Sequence, residues 1–186
     1  MKLFAKGLRF GCNQCGECCR QMRVPLSHAD VLRLWQARAE QPLLSWLQIH
    51  PAEPDDPDAI WLNGQLSMLM LRVRHQDQGC VFLNDNACSV YAARPRACRI
   101  WPLETHRGQL RVSLPYELMV NMHCDKTPFQ AKAAAQVRRE IAASQAEFAE
   151  FRPLTRAWNL QVGERPEAQT LDAFIQFIQT AMEATK

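Results

Sequence analysis

The stretch Phe10-Gly11-Cys12-Asn13-Gln14-Cys15-Gly16-Glu17-Cys18-Cys19-Arg20 constrains this chain more than any other, because it sets four of the eight cysteines within eight consecutive positions. Cys12, Cys15 and Cys18 recur at a two-residue gap, the spacing at which a chain wraps a soft metal centre with backbone amides turned towards the sulfurs. Gly11 and Gly16 permit the tight, positive-φ backbone that such a wrap needs. Cys19 directly follows Cys18, and neighbours in extended or helical backbone do not point the same way. The expectation is that Cys18 and Cys19 serve different centres, or that one of them is not a ligand.

At 186 residues the chain can bury a core without staples, so the cysteines do not compensate for small size. Met1 to Phe10 has basic residues but no apolar segment or small-residue cleavage site, so it does not read as a secretory signal and the cytoplasm is the expected compartment. Thiols stay reduced there, which argues against a disulfide framework. The apolar run around Met68 to Leu71 is far too short to span a bilayer. A net charge of +3 gives no reason to expect a nucleic-acid partner, and Arg96, Arg99 and Trp101 alone do not make a nucleic-acid patch.

The arginines are placed more tellingly than they are counted. Arg20, Arg23, Arg72, Arg74, Arg94, Arg96, Arg99, Arg107 and Arg111 share the cysteine-bearing part of the chain. Four thiolates on a dication leave two surplus negative charges, which guanidinium groups can balance. Arg94 and Arg99 are the candidates for contacting a cofactor or a small anionic substrate; a protein partner is the other possibility.

Ser27 is a good N-cap with Asp30 at the capping-box position, so a helix is expected from about His28 to Glu40, with Val31, Leu32, Leu34 and Trp35 on its buried stripe. Pro42 should open a short second helix, Leu43 to Ile49. The proline- and acid-rich segment 51–58 then reads as a surface loop. Asn63-Gly64 predicts a type I′ hairpin between strands 59–62 and 65–74. A small hairpin is expected over 80–91, bearing Cys80 and Cys88, then a short helix after Pro95 carrying Cys98. A hairpin around Arg107-Gly108 leads on to His123-Cys124. Thr127-Pro128 should cap a long helix to about Glu150, ending before Pro153, with Phe129, Ala133, Val137, Ile141, Ala142 and Phe148 as its stripe. Leu171, Phe174, Ile175, Ile178, Ala181 and Met182 give the clearest amphipathic helix.

With the front quartet, Cys80, Cys88, Cys98 and Cys124 make a total that suits two four-thiolate sites, one such site with four bystanders, or an iron-sulfur cluster with a second centre. The triple two-residue spacing favours an iron-sulfur cluster over zinc, although the fourth cysteine and proline of the ferredoxin run are absent. Of the five histidines only His123 adjoins a cysteine. No phosphate-binding loop, dinucleotide fingerprint, nucleophile elbow or HExxH helix occurs.

The run Cys12-x-x-Cys15-Gly16-x-Cys18-Cys19-Arg20, then Gly79-Cys80-Val81-Phe82-Leu83, Cys88-Ser89-Val90-Tyr91 and Arg94-Pro95-x-x-Cys98-Arg99-x-x-Pro102, resembles the CxxCxxCC zinc- or iron-chelating family, the YkgJ-type cysteine-cluster proteins. The resemblance covers about residues 10–124. It implies a metal site built from Cys12, Cys15, Cys18, Cys19, Cys80, Cys88, Cys98 and Cys124, with Tyr91 and Arg94-Pro95 supporting it. A related domain occurs in flagellin lysine N-methylases, which use an iron-sulfur cluster and S-adenosylmethionine.

The expected fold is therefore α+β: a cysteine-rich metal-binding domain over residues 1–125, with short hairpins and flanking helices, and a helical C-terminal extension over 126–186 packing on it. The leading functional expectation is an iron-sulfur or other iron site for catalysis, including methylation linked to S-adenosylmethionine, or for electron transfer. A zinc-stapled interaction module without catalysis is the alternative, and a metallochaperone a third.

Overall fold

The computed structural model describes the backbone of residues 9–11, 14–113, 125–128 and 131–184, and the side chains of 14–113 and 134–184. In chain order the elements are β1 (Arg9–Gly11), α1 (Glu17–Gln21), α2 (His28–Ala37), β2 (Leu47–Pro51), β3 (Ile60–Leu62), β4 (Gln65–Leu71), β5 (Leu83–Asn84), β6 (Ala87–Cys88), α3 (Arg96–Ile100), β7 (Leu103–His106), β8 (Gln109–Val112), β9 (Asp125–Pro128), α4 (Ala131–Val162) and α5 (Leu171–Glu183). Short antiparallel strand pairs combined with helices make this the expected α+β class. Among the described residues no helix is long and apolar enough to cross a membrane.

The chain folds as two units, each assembled from two separate stretches of sequence. One takes the described residues up to Val24 and those from Arg72 to Gln145; the other takes Pro25–Leu71 and the residues from Ala146 onward.

The first unit is a set of two-stranded pairs. β1 runs antiparallel to β9, with Arg9 opposite Pro128 and Gly11 opposite Asp125. β5 and β6 pair Leu83 with Cys88. β7 and β8 turn at Arg107-Gly108, both at positive φ (48° and 75°) as a type I′ hairpin requires. Such small sheets cannot stand alone. Phe82, Leu83, Val90, Leu103, Leu110 and Ile141 are buried in this unit, and Arg96 of α3 holds Glu140 of α4 at 2.6 Å. α4 opens later than expected, because residues 125–128 form β9. Of its expected stripe Ile141 is buried, Val137 and Phe148 are half-buried and Ala142 is exposed, while Phe129 and the side chain of Ala133 lie outside the described residues.

In the second unit β4 is the central strand of the order β2-β4-β3. Asn63 and Gly64 supply the positive φ values of the β3–β4 turn, 52° and 78°, and Ser27 caps α2 by accepting from the Asp30 amide. Two expectations fail here. The helix over 43–49 is a 3₁₀ turn, Leu43–Ser45, followed by β2. A two-turn helix alone is marginal, whereas β2 pairs every residue from Leu47 to Pro51 with one of β4. Nor does α4 stop before Pro153, which lies inside it. Proline removes the bond to the Ala149 carbonyl, but Phe151, Thr155, Trp158 and Val162 carry a buried stripe at helical spacing past that point.

That stripe organises the unit's core. Phe174 of α5 packs edge-on to Trp158 with ring centroids 5.2 Å apart and to Phe151 at 6.4 Å. Fully burying side chains of this size contributes about 1.5–3 kcal/mol each. Asn159 accepts from the Trp61 amide at 2.9 Å and donates to the Ala59 carbonyl at 3.1 Å, so a side chain of α4 satisfies the free edge of β3.

Candidate metal centre

The front loop is built around Gly16. It sits at φ 78°, and a Cβ there would lie 2.9 Å from Arg20 Nη1, 2.9 Å from Leu83 Cδ1 and 3.1 Å from the Asn86 carbonyl oxygen. Only glycine allows both the turn and the close approach. α1 follows at once and carries Cys18, Cys19 and Arg20. Arg20 donates from Nη2 to Asn86 Oδ1 at 2.8 Å and from Nη1 to the Cys15 carbonyl at 3.4 Å. One guanidinium thus pins the cysteine loop to the β5–β6 turn.

The sulfurs of Cys18 and Cys19 are 4.0 Å apart, which corrects the premise that these neighbouring side chains do not point the same way. Successive side chains on a helix diverge by about 100° rather than the half-turn of a strand, and two side chains can close that angle. Two thiolates on one tetrahedral zinc at the usual bond length lie about 3.8 Å apart. The pair fits a single ion.

Cys80 is brought to this pair by the backbone. Its amide donates to the Cys19 carbonyl at 2.7 Å, and Val73 bridges it from the preceding strand segment. The loop between them is stiff: Arg74 holds Asp77 through Nε and Nη2 at 3.0 and 2.6 Å and donates to the Leu83 carbonyl at 2.6 Å. Asp77 also accepts from the Gly79 amide at 3.0 Å, and the Arg74 guanidinium holds its carboxyl down at about 2. The Phe82 amide points at Cys80 Sγ from 3.4 Å, the amide-to-sulfur contact by which a chain stabilises a ligating thiolate.

The thiols differ in acidity. A hydrogen bond from Cys18, opposed by burial and helped by the nearby Arg20 charge, brings Cys19 down to about 7. Burial pushes Cys80 up to about 11, against the Phe82 amide and Arg74, and charge at Cys19 or Cys88 raises it further. Thiols from α1, β6 and the segment before β5 therefore share one neighbourhood. Arg72, whose carbonyl accepts from the Val81 amide at 3.1 Å, has a buried Nε with no hydrogen-bond partner. A buried guanidinium donor without an acceptor suits a neighbouring anionic centre.

Cys15 sits in the front loop, Cys88 in β6 and Cys98 in α3, and none of the six described cysteines is in a disulfide. Among the described residues no group of three or more cysteine, histidine or acidic side chains is drawn close enough to hold a metal ion. Cys12, His123 and Cys124 lie outside the described residues. Arg94 and Arg99 lie on the turn before α3 and within it. Arg99 donates to the Arg94 and Ala92 carbonyls at 3.0 and 2.9 Å, and Arg94 to the Tyr91 carbonyl at 3.1 Å with its guanidinium 3.7 Å over the Tyr91 ring.

Sequence reasoning missed Asn86, Asp77 and the Phe82 amide. The Arg-x-x-Asp spacing of 74–77 was a visible signal for the second; the others depend on contacts distant in sequence or on local backbone direction.

A family model described as CxxCxxCC, putative zinc- or iron-chelating domain, matches residues 11–132, a span that takes in all eight cysteines. No curated protein and no solved structure matches the chain.

Proposed function

We propose, because the chain belongs to the CxxCxxCC family of putative zinc- or iron-chelating domains, that its thiolates hold iron as an iron-sulfur cluster. The reading rests above all on the 4.0 Å separation of Cys18 and Cys19. A two-iron cluster asks two thiolates of each iron, whereas a four-iron cluster asks one. Cys18 and Cys19 would share one metal atom, and Cys80, Cys88, Cys15, Cys98, Cys12 and Cys124 are the pool for the remaining positions. Bound iron-sulfur chemistry would supply one-electron transfer, or the reductive half of a modification linked to S-adenosylmethionine. The protein's own part is to present soft donors, to direct the Phe82 amide at a sulfur and to offset negative charge with Arg20, Arg72 and Arg74.

The same spacing also supports a second reading, a structural zinc site in a protein that works as an interaction module. One preparation separates the two. Protein purified without oxygen should be brown, with iron and acid-labile sulfide in near-equal amounts. Colourless protein containing only zinc would favour the second reading, and protein with no bound metal would reject both.

A further inference from the structure

The turn 91–94, α3 and α4 enclose a cleft of about 240 Å³ lined by Tyr91, Ala92, Arg94, Arg99, Gln136 and Glu140. Arg94 is fixed there by two contacts, Nη1 donating to the Tyr91 carbonyl and the guanidinium face lying on the Tyr91 ring. Neither contact uses Nε or Nη2, and among the described residues these two donors have no acceptor. They point in parallel along one edge of the guanidinium, the edge that grips two oxygens of a carboxylate or phosphate at once. Arg99 differs: its Nε and Nη2 already serve the Arg94 and Ala92 carbonyls, so it builds the cleft and adds charge. Glu140 is the one acid in the lining and is held by Arg96 at 2.6 Å. Two guanidinium groups in the lining against one carboxylate, itself neutralised by Arg96 from outside the lining, leave the cleft positive. Its volume falls below the 300–1,000 Å³ or so usual for drug-sized ligands, which limits the occupant to a small oxyanion or the anionic end of a longer molecule.

We propose that this cleft is an oxyanion-binding site in which Arg94 takes a carboxylate or phosphate group through Nε and Nη2. The site stands apart from the metal reading and does not depend on it. The test is calorimetric titration of the full chain with inorganic phosphate and with succinate, using chloride at matched ionic strength as reference. Arg94→Lys keeps the charge but loses the paired donors; Gln136→Glu, at an exposed position of α4, adds a repelling carboxylate to the lining without touching the core. Saturable binding of either oxyanion is expected, weakened at least about tenfold in both variants, with far-ultraviolet dichroism and metal content unchanged. A preference for phosphate or for succinate then names the ligand class. The proposal is overturned if neither anion binds better than chloride, if Arg94→Lys binds as the wild type does, or if that variant loses its metal, which would assign Arg94 to the cysteine centre instead.

Discussion

At residue 16 the absence of a side chain decides whether the cysteine loop can close. Gly16, Gly64 and Gly108 share nearly the same backbone, with φ of 78°, 78° and 75°, but only Gly16 is crowded, the other two having nothing within 4 Å of an added Cβ. All three substitutions to alanine carry the left-handed penalty of about 1–2 kcal/mol, and Gly16→Ala must in addition displace both Leu83 and Arg20. Thermal unfolding should therefore show Gly16→Ala with the lowest Tm of the three, accompanied by loss of bound metal. Equal losses at positions 16 and 108 would contradict this role. The need for glycine at 16 was legible in the sequence from the tightness of the run. The partnership of Cys18 with Cys19 was not, because side-chain alternation was applied to a single helical turn where rotamers decide.

Among the elements, local chemistry was read well and long-range pairing poorly. The Asn63-Gly64 and Arg107-Gly108 turns, the Ser27 cap and the Leu171–Glu183 helix follow from residues within a few positions of one another. β2 exists because β4 is there to pair with, and α4 continues through Pro153 because Thr155, Trp158 and Val162 are buried beyond the break. Neither reason is visible in a short window. α2 meets α4 through His28, which is fully buried, stacks on Phe151 at 5.7 Å and has no hydrogen-bond partner on either ring nitrogen. Burial lowers its pKa from 6.5, and Arg33 adds to this, while Glu150, Glu147 and Asp30 oppose it. The folded protein thus binds a proton less readily at this ring than the unfolded chain. The resulting stability is present above about pH 6.5 and is lost as the pH falls through the lower folded value. Unfolding between pH 7.5 and 5.5, roughly the range over which histidine titrates, should show stability declining in the wild type and a flatter profile in His28→Phe. Equal slopes in the two proteins would exclude His28 as the cause.

Across the whole molecule, one chain gathers thiols from α1, from the end of the Arg74–Gly79 loop and from β6, and surrounds them with arginines that have other work to do in holding the loops. The sequence announced the thiols and their chemistry; it could not show that a backbone hydrogen bond from Cys80 to Cys19 joins segments so far apart along the chain. Family membership assigns zinc or iron chelation, and the 4.0 Å sulfur pair and the orphan donor of Arg72 support the proposal that thiolates hold the metal. X-ray absorption at the metal edge, on protein purified without oxygen, tests that most directly. An all-sulfur shell of about four ligands near 2.3 Å is predicted, reduced in both Cys18→Ser and Cys19→Ser. A shell containing nitrogen or oxygen in the wild type, or one unchanged by either substitution, would contradict it.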